Sequence, residues 1–162
     1  MTEATGKLLT GDTLVPGSAC ARPFVLDKPL SFWGGYDSGA GKIVDRGHPQ
    51  AGASLAGKVM VMPHAKGSSS SSSVLAEAVR NGTGPVAIVL KERDLIISIG
   101  AIVAAELYAI AVPVVCVTDD VYDAIVAATG DVRIEAGDGG ARIYLGDAEP
   151  DAGFPNPPAA SR

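Results

Sequence analysis

The chain has 162 residues, 47% of them hydrophobic, which is enough to bury the core of one domain, although aromatics are only 5% and the core must be built from small side chains. A formal net charge of −5, with no dense basic cluster, argues against nucleic acid or an anionic membrane surface as partner. The N-terminus has no signal-peptide core and no apolar run is long enough to span a membrane, so a cytoplasmic chain is expected.

Residues 1–17 are polar and Gly-rich and read as an N-terminal tail. Residues 18–26 can form a first strand, with Pro23 placing it at an edge or a bulge. Gly34 and Gly35 follow a short apolar stretch and read either as a tight turn or as a backbone lip over a ligand. Residues 42–45 suit a short strand. The loop at 46–52 carries His48, which in isolation reads as polar surface. Residues 59–62 are a buried strand, 63–67 a turn, and 74–80 a helix closed by Asn81 and Gly82. Residues 85–90 and 112–117 read as further buried strands, and 96–108 as a helix rich in Ala and Ile. Asp119 or Asp120 can cap a helix over 121–128, with Gly130 ending it. Residues 132–135 and 142–145 alternate around Asp138, Gly139 and Gly140, a hairpin signal. From Gly146 the chain is rich in Pro, Asp and Ala, as a disordered tail would be. Strands alternating with helices and finishing in a hairpin suggest a three-layer or barrel-like β/α domain rather than a long parallel sheet.

The two cysteines, Cys20 and Cys116, are far apart and form no CxxC pair, and both read as inert core. With only His48 and His64 to join them, a complete metal site in this chain is not expected.

Six consecutive serines, Ser68 to Ser73, follow Gly67 where a strand hands over to a helix. Such a run usually marks a flexible linker. Here apolar structure lies close on both sides, and neither side leaves room for a separate domain. The first N–H groups of a helix lack partners within it and favour negative charge. Small hydroxyl residues leave those groups open to a carboxylate or phosphate. The GxxxxGK[ST] phosphate loop is absent, because Lys66 precedes the glycine, and so is the GxSxG elbow.

Several separated motifs keep a common order: Phe32-Trp-Gly-Gly-Tyr-Asp37, Lys42-Ile-Val-Asp45, His48-Pro49, Lys66-Gly-Ser-Ser-Ser70, Asn81-Gly-Thr-Gly-Pro85, and Gly100-Ala-Ile-Val-Ala-Ala-Glu-Leu-Tyr108 followed by Val112-Pro113-Val114. Together they resemble the small subunit, or swivel domain, of the aconitase X family over residues 18–145, with 1–17 and 146–162 as tails. The resemblance implies an α/β fold of the swivelling β/β/α kind, a barrel-like β core with flanking helices. It implies a two-part dehydratase, or hydro-lyase, whose large catalytic subunit holds iron or an iron–sulfur cluster; this chain would carry no cofactor and be inactive alone. The substrate would be a small hydroxy acid. His48-Pro49 and the serine-rich loop look more like the enzymes that dehydrate cis-3-hydroxy-L-proline than those that dehydrate mevalonate 5-phosphate. The Gly-Ser-Ser segment also looks like that of aconitase itself. This places the catalytic base on Ser68, with Gly67, Ser69 and Ser70 binding the substrate carboxylate and Gly34 and Gly35 closing over it. A rival of another class is a non-catalytic module binding an anionic metabolite through the serine loop.

Overall fold

The computed structural model describes residues 7–146, and the expected disorder of residues 147–162 lies outside them. Ten strands and four helices follow in order: β1 (Lys7–Val15), β2 (Gly17–Ala21), β3 (Pro23–Val25), α1 (Phe32–Gly35), β4 (Tyr36–Asp37), β5 (Lys42–Ile43), β6 (Val59–Val61), α2 (Ser71–Asn81), β7 (Ala87–Leu90), α3 (Leu95–Tyr108), β8 (Val114–Cys116), α4 (Asp119–Ala127), β9 (Val132–Gly137) and β10 (Gly140–Leu145).

Eight strands form one sheet in the order β2-β9-β10-β1-β8-β7-β6-β3, and β4-β5 form a separate pair. The edge strands β2 and β3 are separated in sequence by Arg22 alone, whose carbonyl accepts from Val59 N–H at 2.9 Å. Joining the two ends of the sheet through one residue curls it into a nearly closed barrel. β3, β6, β7 and β8 run parallel, and the rest pair antiparallel.

The central parallel strands are buried on both faces, as βαβ crossovers require. Val59, Val61, Val89, Val115, Ile134 and Ile143 share one core cluster with Tyr122 and Ile125 of α4. Met60, Met62, Ile88 and Leu90 point the other way and pack with Leu75 of α2 and Ile97 of α3. The two helices lie side by side and parallel: Ser72 Oγ donates to the Ile96 carbonyl at 2.7 Å near their starts, and Arg80 stands 6.0 Å over the Tyr108 ring near their ends. Gly100 permits this approach, because a Cβ there would lie 2.9 Å from the Ser72 carbonyl oxygen.

The barrel-like α/β expectation agrees with this architecture, with local differences. Residues 7–15, expected within a tail, form β1, paired on both edges: Lys7–Gly11 against β10, then Asp12, Thr13 and Val15 against β8. The changeover falls at Gly11, where a Cβ would meet Val117 Cγ1 at 2.9 Å. The first expected strand divides at Arg22 into two edge strands, with Pro23 opening the second. Thr118, not Asp119 or Asp120, is the N-cap residue of α4; the aspartates lie in its first turn, where their charge suits the helix dipole. The double glycine lies at the end of α1, a single kinked turn with Gly34 at φ 77°.

Candidate functional site

The serine segment starts from Gly67, whose φ of 102° is a backbone state that side-chain-bearing residues rarely adopt. Ser71, Ser72 and Ser73 N–H groups donate to the carbonyls of Ser68, Ser69 and Ser70 at 3.0, 3.2 and 3.1 Å. These are i→i+3 bonds, so α2 begins as a tight 3₁₀-type turn and then widens, with Val74 N–H reaching Ser70 C=O. The Ser68 hydroxyl accepts from Ser70 N–H at 3.2 Å. No acceptor among the described residues meets the N–H groups of Ser68 and Ser69.

Helical phase then sorts six chemically identical residues. Ser71 is buried, 1% exposed, and its hydroxyl accepts from Trp33 N–H at 3.0 Å. Ser72 is tied to α3 as above. Ser68, Ser69 and Ser70 are exposed together at the start of the turn, with Lys66 exposed just before them; Ser73 is exposed one turn further on. The expected trio therefore shares one open end of the helix.

The 33–35 segment is fastened to the same turn. Ser31 Oγ donates to the Trp33 carbonyl at 2.9 Å, while Trp33 N–H is held by Ser71. Gly67 packs so closely on Ser31 that a Cβ there would fall 1.9 Å from Ser31 Oγ. The two glycines differ in kind. Gly34 is exposed, with no heavy atom near the place of a Cβ. Gly35 is buried against Leu30, and its carbonyl accepts from Val44 N–H at 2.9 Å and Asp45 N–H at 3.3 Å. Only Gly34 presents backbone on the open side.

His48 is not the surface residue that a lone His suggests: it is 5% exposed and structural. Its Nδ1 accepts from Gln50 N–H at 3.1 Å, so Nε2 is the donor to the Lys28 carbonyl at 2.8 Å. Gln50 adds bonds to Val25 C=O and Asp27 N–H, both 2.9 Å. This brace fixes the segment that leads from β3 to the lip. On the other side, the Tyr36 hydroxyl donates to Thr83 C=O at 2.5 Å and accepts from Leu55 N–H at 3.2 Å. Ser71, His48 and Gln50 act through partners distant in the chain, and Ser31 packs on the distant Gly67; the serine run and the His48-Pro49 motif are the sequence signals near them.

Cys116 is half-buried rather than core; it donates to the Lys91 carbonyl at 3.2 Å, and burial pushes its thiol pKa up. Cys20, expected in the core, is exposed instead, because it lies on the outer face of β2, where exposure alternates along the strand. A cleft of about 440 Å³ opens beyond β7 and β8 between Asp12, Lys91, Cys116 and Thr118, and Lys91 there is paired with Asp119 at 3.4 Å. Among the described residues no three His, Cys, Asp or Glu side chains converge as a metal site would require. No helix among them is long and apolar enough to cross a membrane.

Comparison with known proteins agrees with this fold. The family model described as the aconitase X swivel domain matches residues 8–143. The cis-3-hydroxy-L-proline dehydratase of Pseudomonas aeruginosa is 42% identical over 109 residues, which is 67% of this chain and 19% of the relative. The phosphomevalonate dehydratase small subunit of Methanosarcina acetivorans is 40% identical over 96 residues, 59% of this chain and 67% of that subunit. The chain thus spans about a fifth of the length of the first relative. The crystal structure of Thermococcus kodakaraensis aconitase X in its holo-form superposes with a TM-score of 0.70 at 29% identity, over 87% of this chain and 99% of that one. A family match from the start of β1 to the middle of β10, on a fold this close, establishes that the chain belongs to the aconitase X swivel-domain family.

Proposed function

We propose that this chain is the small, swivel part of a two-part hydro-lyase that dehydrates cis-3-hydroxy-L-proline, with the active site shared with a large subunit. One observation carries the reading. The exposed Ser68 hydroxyl accepts a helix N-terminal N–H, on the same turn to which the Trp33 backbone is fastened.

Dehydration next to a carboxylate removes a C–H proton and expels a neighbouring hydroxide, the C–H electron pair becoming the new double bond. The proton passes to the base and water is the net product. A serine hydroxyl is a poor base unless its alkoxide is stabilised. The Ser70 N–H already points at Ser68 Oγ and would bind an alkoxide more strongly than a hydroxyl. Exposed Lys66 adds a positive charge nearby. The open N–H groups of Ser68 and Ser69, with the Ser69 and Ser70 hydroxyls and the backbone after Gly67, suit the substrate carboxylate. Gly34 would cover it by backbone contact, and buried Gly35 would hold Gly34 in place. In this reading the iron or iron–sulfur centre of such an enzyme belongs to the large subunit. Free thiols fit a reducing cytoplasm, where this reading puts the complex.

The test is reconstitution with the large subunit. Ser68→Ala should cut turnover by about 10²–10⁴-fold, the range for a general base, and leave assembly intact. Ser73→Ala should leave turnover unchanged. Full turnover in Ser68→Ala removes Ser68 from the mechanism, and an equal loss in Ser73→Ala puts the site in another register. A second reading has support: the Methanosarcina relative, a separate small subunit much nearer this chain in length, belongs to a phosphomevalonate dehydratase. Preference for mevalonate 5-phosphate over cis-3-hydroxy-L-proline in a substrate panel would select it.

A further inference from the structure

The outer side of α3 breaks the rule for a surface helix. Leu95, Ile99, Ile102 and Glu106 fall at helical spacing on one stripe, and all four are exposed. Three of the four are large and apolar, exposed by 78%, 49% and 45%. The opposite side, with Ile97, Gly100, Ala101 and Ala104, is already buried. A helix apolar on every side needs cover on every side. The neighbouring α2 shows the ordinary pattern: its outer side carries Ser73, Glu77 and Arg80, with Arg80 ion-paired to Glu77.

We infer that this stripe of α3 is the docking surface for the large subunit of the dehydratase, through an apolar patch placed beside its half of the active site. The inference rests on the proposed function and deepens it. Continuity with the site identifies the occupant. The helices are parallel, and Ser72 Oγ on Ile96 C=O ties the first turn of α3 to the turn that exposes Ser68, Ser69 and Ser70. A body that brings catalytic groups to Ser68 therefore also reaches Leu95 and Ile99. The Pseudomonas relative carries some four-fifths of its length beyond the matched part, ample for such a body. A second copy of this chain would cover the same stripe and place another serine loop, not complementary chemistry, at the site.

The test measures binding of the full chain to its large subunit by sedimentation and calorimetry, with Ile99→Glu and Leu95→Lys. Both side chains point outward, so helix content and melting temperature should hold. The dissociation constant should rise at least about 30-fold in each, as for residues at the centre of an interface. Val126→Glu, on an exposed apolar position of α4, should bind as wild type. If the wild-type chain binds the large subunit and Ile99→Glu and Leu95→Lys bind equally well, the docking surface lies elsewhere while the proposed function stands. If the wild-type chain never binds, the two-part reading falls, and this inference with it. Self-association of the wild-type chain that Ile99→Glu abolishes, with large-subunit binding unchanged, assigns the stripe to a second copy and overturns the inference.

Discussion

Replacing Ser71 by Ala tests whether the lip and the serine turn are one unit. The Ser71 hydroxyl is 1% exposed, and its bond from Trp33 N–H at 3.0 Å joins parts of the chain 38 residues apart. Removing the acceptor leaves a partly buried N–H without a partner, at a cost of about 1–3 kcal/mol. Alanine is the better helix former and returns up to about 0.5 kcal/mol. The net loss is about 0.5–3 kcal/mol, and at roughly 2–4 °C per kcal/mol for a chain of this size the melting temperature should fall by about 1–12 °C. Ser73→Ala makes the same chemical change on an exposed position of the same helix and should stay within about 0.5 kcal/mol. Trp33 is the sole tryptophan, so its fluorescence anisotropy reads the lip alone. Ser71→Ala should lower that anisotropy and Ser73→Ala should not. Equal melting temperatures and equal anisotropies for the two variants would refute the coupling.

Other expectations follow from single contacts. Gly67→Ala combines a φ of 102° with a Cβ placed 2.6 Å from Ser31 Cβ, which no side-chain rotation relieves, and should cost about 2–4 kcal/mol in urea unfolding. Asp94 caps α3 by accepting from Ile97 N–H at 2.7 Å, so Asp94→Ala should lower the urea midpoint by the equivalent of about 1 kcal/mol. Thiol labelling followed by mass spectrometry should modify exposed Cys20 in the native chain much faster than half-buried Cys116, and unfolding should bring the two rates together. Burial raises the Cys116 pKa, so as pH climbs past the ordinary thiol range the unfolded chain ionises first there and native stability should fall.

The parallel half of the barrel was legible because its signals are local. Unbroken apolar runs mark β6 and β7, Gly82 closes α2, and the glycines at 139 and 140 mark the last hairpin. β1 was not legible: Thr10, Gly11 and Asp12 look like loop, and their strand character comes from pairing with β10 and β8, more than a hundred residues away. The serine turn could be located from the change of strand to helix. The division of labour within it could not, since six identical side chains differ only in helical phase and in partners such as Trp33 and Ile96. The burial of His48 is hidden for a similar reason, because the carbonyl its ring bonds belongs to Lys28, on a separate loop.

The position of β1 also sets an order of events in folding. Its first residue lies opposite Leu145, almost the full described chain away, and its far end lies beside Val114. Contacts of that span form slowly, because a very large loop must close before any bond is gained. The β6-α2-β7-α3-β8 unit is contiguous and can collapse early, but until β1 docks, β8 presents an open edge that invites pairing with other chains. During synthesis this strand emerges before the rest of the barrel and is among the last to find its place.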